Sequence, residues 1–376
     1  MLALGQLVAG CGNSQTKSLR VRILKNSIPV QLLNEFRKSQ DQPLKLDFTP
    51  ATQLKELFTQ LQTWQKPVET ESRRGLSLPF VKAEAPVIPD LVTLGDYWLA
   101  SAIQQKLIQP LAPEALKNWQ QLPEAWQNLV KRNNQGQLDA AGKIWGAPYR
   151  GGSTVIAYRP DKFKSLGWTP TDWSDLWRPE LRDRISLLDN GREVIGLTLK
   201  SLGQSYNTAD LTGISQLKER LQKLNQQVKF YSSDAYLQPL MLEDTWLAVG
   251  WSTDVLQLTK TNREIAAVVP QSGTALWADL WVQPAAVSNQ SQLELAQKWI
   301  NFCWQPEAAT AISSLSRAAS PVLISMKAEQ IPQDIRENDV LFPSPQVLQK
   351  SEFLYPLSEA TEKQYRSLWK EIRQRV

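Results

Sequence analysis

The chain has 376 residues, 42% of them apolar and 21% charged, enough for two lobes of ordinary domain size with a core in each. No apolar run approaches the ~20 residues of a membrane span, so no spanning helix is expected. The net charge of +5, from 42 basic and 37 acidic residues, is spread without a basic run or a basic-aromatic module, which argues against a nucleic-acid partner.

Histidine is absent, and this removes Ser-His-Asp and Cys-His catalysis together with the commonest zinc ligand. The two cysteines, Cys11 and Cys303, are too few for a metal cluster, and neither a metal, a cofactor nor a disulfide is expected. Fifteen tryptophans stand out, since aromatic groups with a polar edge are common in binding clefts.

At the start, a short apolar segment ends in Val8-Ala9-Gly10-Cys11 and a polar stretch, Gly12–Ser18, follows. Val8–Cys11 resembles the lipobox of bacterial lipoproteins, in which the cysteine becomes the acylated N-terminus. The segment lacks a basic beginning and is short for a signal, which leaves a longer natural start open. From here alternation at Leu19, Val21 and Ile23 predicts a strand over Leu19–Leu24, and a helix follows over Val30–Lys38 after Pro29. Leu44–Phe48 alternates again, and Leu54, Leu57, Phe58 and Leu61 give helical spacing within Ala51–Trp64. The order is βαβα. Residues 66–86, with three prolines, read as a surface insertion.

Pro89–Trp98 is a short apolar strand running into a polar turn, and the carboxyl end of a strand in an α/β sheet is where ligands usually bind. Asp96 and Tyr97 are therefore candidate ligand residues, with Asp96 alternatively an N-cap for a helix over Trp98–Lys106. Helices through Trp119 and Trp126 lead to Gly142–Pro160, an extended segment rich in β-branched and aromatic residues and interrupted by Pro148 and Gly151-Gly152. It reads either as an irregular strand of one large domain or as a crossover strand with a ligand cleft beside its bend. Tyr149, Arg150, Ser153 and Thr154 gather around that bend. Beyond Pro160 come a Trp/Pro-rich turn, a strand over Arg184–Leu188 and a helix ending at Leu202 before Gly203. Apolar residues at helical spacing around Cys303 predict a buried, inert thiol.

Several ordered blocks carry a specific likeness. Trp173-Ser174-Asp175-Leu176-Trp177-Arg178-Pro179-Glu180 precedes a strand and the helix start Asp189-Asn190-Gly191-Arg192-Glu193-Val194. Val249–Asp254, Gly273–Pro284 and Ala296–Pro306 follow in order. From about Pro89 to Pro321 the chain resembles the substrate-binding proteins of bacterial polyamine (spermidine/putrescine) ABC importers.

The resemblance implies an α/β fold of the two-lobe periplasmic-binding-protein type II, each lobe a mixed sheet flanked by helices, joined by crossover strands. It places residues 1–18 as signal and linker, 19–157 plus 279–325 as lobe one, and 158–278 plus 326–376 as lobe two. The passages between lobes would lie near Tyr158, near Ala278 and after about Ser325. It implies no enzyme activity, a cationic polyamine in the interlobe cleft, permease subunits of an ABC importer as partners, and a monomer. It also implies a place in the periplasm or cell envelope, tethered through Cys11 at the outer face of the cytoplasmic membrane. Carried over by motif position, the ligand residues are Asp96, Tyr97, Tyr149, Asn190, Glu193, Trp251, Trp277 and Asp279. Carboxylates would meet the amines and aromatic faces the stem. Departures from the family pattern are Asn190 in place of a carboxylate with Asp189 adjacent, Gly151 and Ala318 in place of aromatics, Lys25–Pro29 without the family's aromatic pair, and an added cation at Arg150. The alternatives are a zwitterionic or anionic ligand on the same fold, a cysteine-dependent transferase on a related one, and a structural lipoprotein with a vestigial cleft.

Overall fold

The alternation at Leu19, Val21 and Ile23 buries those side chains in β1 (Lys17–Leu24). This is seen in a computed structural model that describes residues 17–65 and 87–374. Cys11 and the expected insertion at 66–86 lie outside the described residues. After β1 come α1 (Val30–Lys38), β2 (Leu44–Ala51), α2 (Leu54–Gln65), β3 (Leu91–Gly95) and α3 (Leu99–Gln104). β1 pairs in parallel with both β2 and β3, as a βαβα order requires.

Short elements then lead to the long strand: β4 (Ile108–Gln109), α4 (Glu124–Val130), β5 (Lys131–Arg132), β6 (Lys143–Ile144) and β7 (Ala147–Tyr158). The next group is α5 (Pro160–Leu166), β8 (Ile185–Leu187), α6 (Gly191–Ser201), α7 (Leu217–Asn225), β9 (Val228–Tyr231), α8 (Gln238–Met241), β10 (Leu247–Trp251), α9 (Ser252–Thr261) and β11 (Ala266–Val268). β12 (Ala275–Pro284) brings the chain back, followed by α10 (Gln290–Cys303), α11 (Pro306–Ser316), α12 (Pro321–Ser325), α13 (Gln333–Arg336), α14 (Pro345–Lys350), β13 (Glu352–Phe353) and α15 (Glu359–Gln374). No helix among the described residues is long and apolar enough to cross a membrane.

Strands β5 and β6 pair separately as an antiparallel ribbon, while eleven strands form one mixed sheet in the order β2-β1-β3-β12-β7-β10-β8-β9, with β4 and β13 on β12 and β11 on β7. Its centre is the pair β7 and β12. The first part of β7 pairs with β12 up to Ser153, and from Thr154 onward it pairs with β10. The change of partner falls between Ser153 and Thr154, where Trp251 of β10 meets Thr154. Side chains of β7 alternate between two cores: Val155 and Ala157 join the larger, Ile156 the smaller one built around β8 and α6. After α12, Ile331, Ile335, Val340, Leu341 and Phe353 still belong to the larger core. After α12, packing against the smaller core begins with Leu354 and continues through Tyr365 and Ile372.

Candidate functional site

Register along β7 lines up three pairs: Arg150 opposite Asp279, Gly152 opposite Trp277, and Thr154 opposite Trp251. Residues two apart on a strand share a face and directly opposed residues point the same way, so these rungs form one row. At the first rung the guanidinium of Arg150 donates from Nε to Asp279 Oδ2 at 2.8 Å, with Nη2 at 2.7 Å from the same oxygen. Both side chains are buried, and Asp279 Oδ1 has no partner among the described residues. Burial raises the Asp279 carboxyl and Arg150 acts against it, while the same pairing keeps Arg150 protonated.

The second rung explains the glycines. A Cβ on Gly152 would sit 2.3 Å from Ser252 Oγ and 2.6 Å from the Trp277 ring, and one on Gly151 would sit 2.4 Å from the Trp126 ring. Only bare backbone lets the indole of Trp277 lie against β7. Gly152→Ala is accordingly expected to cost about 1–3 kcal/mol in chemical denaturation through overpacking. An unchanged midpoint would mean that Trp277 has room to move away.

At the third rung Thr154 Oγ1 donates to both carboxylate oxygens of Glu193, at 3.2 and 3.1 Å, and the Trp251 indole adds a further bond to the same carboxylate. Glu193 stands in the first turn of α6, a position that favours an anion. Its side chain is nevertheless only 5% exposed, and burial pushes its carboxyl up to about 7. Arg192 beside it donates to Asn207 Oδ1 at 2.7 Å and to the carbonyl oxygens of Tyr206 and Tyr355. Among the described residues no cation lies within ion-pair distance of Glu193.

Asp96 opens the turn after β3. Its Oδ1 accepts the N–H of Ala278 at 3.1 Å, so the carboxylate ties β3 to β12 instead of capping the following helix. Burial raises it to about 7, with Asp279 adding and Arg132 opposing. Arg132 is buried, its Nε donating to the Leu129 carbonyl at 2.7 Å, and burial lowers it to about 10. Tyr97 next to Asp96 is 66% exposed and stands edge-on to Trp98.

Two residues carried over by motif are engaged elsewhere. Tyr149 is fully buried, stacked on Trp281 at 4.2 Å with its hydroxyl 3.2 Å from Thr93 Oγ1, so it supports the floor rather than facing a cleft. Tyr149 is the immediate neighbour of Arg150, so the alternation of side chains along β7 turns it off the row, and the register shift between Asp279 and Leu280 leaves it without an opposite residue. Asn190 caps α6, its side-chain oxygen accepting the N–H groups of Arg192 at 3.0 Å and Glu193 at 3.4 Å. Its neighbour Asp189 faces Arg373 at 3.4 Å and does not replace the missing carboxylate. Two polar supports were not among the expected site residues: Arg132, and Ser252, whose Oγ accepts the Ser153 N–H at 3.1 Å.

Cys303 is wholly buried in α10 and burial pushes its thiol up, so it holds no thiolate for attack. Cys303→Ala is expected to leave ligand binding unchanged within twofold in a fluorescence titration.

The chain is 28% identical over 273 residues to the spermidine/putrescine-binding periplasmic protein of Salmonella typhimurium, covering 72% of this chain and 74% of that protein. It is 26% identical to the putrescine-binding periplasmic protein PotF of Escherichia coli over 284 residues, covering 69% and 72%. Among solved structures, the spermidine/putrescine ABC transporter substrate-binding protein PotD of Streptococcus pneumoniae superposes with a TM-score of 0.78 at 21% identity, covering 96% of this chain and 99% of that one. That likeness shows the fold. The family model described as bacterial extracellular solute-binding protein matches residues 87–344, more than half of the chain. Its members bind solutes rather than transform them, which removes the transferase reading. The chain therefore belongs to the bacterial extracellular solute-binding protein family.

Proposed function

We propose that this chain is the extracytoplasmic solute-binding component of an ABC importer and that it captures a small cationic amine of the putrescine and spermidine type for delivery to permease subunits. The observation that carries the ligand class is Glu193, a buried carboxylate without a cation of its own, set beside the indole of Trp251 and one rung from Trp277. A dry carboxylate against aromatic faces attracts an alkylammonium strongly. The names of the relatives point to the same chemistry. The anionic-ligand reading loses its main support, because the charge of Arg150 is engaged by Asp279. Tryptophan fluorescence titration with putrescine, spermidine, amino acids and organic anions tests this, and saturation by an anion with no response to any amine at millimolar concentration would overturn it.

The proposed cleft lies between two lobes, one built on β1–β3 and the other on β8–β10, with β7 and β12 as the strands that cross. Ligand bridging the lobes favours the closed form through contacts made only there. Saturating ligand is expected to reduce the radius of gyration in small-angle scattering, and an unchanged profile with a proven ligand would argue for a rigid site. Acylation of Cys11, with Gly12–Ser18 as linker, would hold the protein at the outer face of the cytoplasmic membrane. Mass spectrometry of the protein from its native membrane decides this, since an unmodified soluble form with Met1 intact sinks it.

A further inference from the structure

The indole that bonds to Glu193 is itself supported from behind. Tyr236 is 2% exposed, and its ring lies on the bare backbone of Gly250, where an added Cβ would overlap the ring edge at Cε2. Only a residue without a Cβ leaves room for it. The phenol oxygen accepts the Trp251 N–H at 3.2 Å and donates its own hydrogen to Asp254 Oδ2 at 2.7 Å, so one hydroxyl spans the junction of β10 and α9. The ring also stands edge-on to the Trp251 indole, with centroids 5.9 Å apart at 86°.

Tyr236 is fixed in turn by the strand that leads to Glu193. Its carbonyl accepts the Ser186 hydroxyl at 2.7 Å, and the turn before it is joined to β8 by the Ser232 N–H on the Leu187 carbonyl at 3.0 Å. Past its end, β8 leads through the Asn190 cap into α6, so one strand carries both Glu193 and the support of Trp251. A tyrosine tied to β8 at its backbone and to Trp251 at its hydroxyl sets where the indole stands relative to the carboxylate. We infer that Tyr236 is a positioning residue for amine capture, acting through Trp251 by holding its indole against Glu193, an assignment that rests on the amine reading above.

Two measurements test this. In ligand-free protein labelled with 5-fluorotryptophan, the Trp251 fluorine resonance, identified by its loss in Trp251→Phe, is expected to shift or broaden in Tyr236→Phe. Calorimetric titration with putrescine and spermidine should show Tyr236→Phe binding about five- to tenfold more weakly than the unmodified protein. The same change made in Trp251→Phe should cost no further affinity, because the indole through which it acts is already gone. A tyrosine with a merely structural role would lower the melting temperature and leave both the resonance and the affinity of the folded protein unchanged. An unmoved Trp251 resonance overturns the inference without reference to any ligand. A loss of affinity that persists in Trp251→Phe overturns it too, by routing the phenol through Asp254 instead. If the resonance moves but no amine binds the unmodified protein at millimolar concentration, the amine reading fails and takes the role in capture with it.

Discussion

Glu193→Gln should weaken capture of a cationic amine roughly thirtyfold or more, the largest loss expected from any single change in the row. Removing the charge leaves a desolvated ammonium facing an amide, a loss on the order of 2–5 kcal/mol at about 1.4 kcal/mol per decade. The same residue sets a pH dependence whose sign is fixed. With its carboxyl near 7 in the ligand-free chain, Glu193 must lose a proton before it can hold an ammonium. Affinity is therefore expected to fall by up to tenfold per unit as pH drops below about 7. The fold itself responds in the opposite sense. A folded-state pKa above the ordinary carboxylate value means that the folded chain holds a proton the unfolded chain releases. That contribution is fully present below about 4.5 and is lost as pH rises through about 7, an effect on the order of 3 kcal/mol. Titrations at pH 5, 6, 7 and 8 check both statements. Glu193→Gln should flatten most of the binding profile and leave only the slope due to Asp96, which titrates in the same range. A profile equally steep in the variant would remove Glu193 from the ligand.

How far the site could be read from residues alone depended on whether its chemistry was local. The row's aromatic and acidic members were legible because each sits in a short block with its own pattern: Glu193 after a polar turn, Trp251 at a strand end, Trp277 and Asp279 on a return strand. The pairing of Arg150 with Asp279 spans 129 residues and depends on a register that no local pattern encodes. Tyr149 stands one residue from Arg150, so strand alternation turns it to the other face, where it stacks on Trp281. Asn190 shows the opposite hazard, since a residue in a ligand position by motif is also the best available helix cap. Strand and helix spans were read within a few residues because alternation and helical spacing act over short distances. The order of the strands was not, because β12 inserts between β3 and β7 from more than a hundred residues away.

Arg150→Met is the stability counterpart. The guanidinium and the Asp279 carboxylate are both buried, with Asp279 1% exposed, so losing one partner strands a charge where water cannot reach it. Breaking a buried pair in this way costs about 3–5 kcal/mol, whereas replacing both members by apolar groups of similar volume is often neutral. The single variant should therefore melt roughly 4–6 °C lower, and Arg150→Met combined with Asp279→Leu should recover most of that loss. Protonation gives Asp279 a way out. With Arg150 gone, burial acts on the carboxyl unopposed, and the acid takes up a proton as pH falls, so the penalty should be smaller at pH 5 than at pH 8. Arg150→Lys keeps the charge but loses the two-nitrogen contact to Oδ2, and its melting temperature should lie between the parent and Arg150→Met. Thermal unfolding of the four proteins at both pH values separates the pair from mere volume. If Arg150→Met melts with the parent at pH 8, the guanidinium is not what neutralises Asp279.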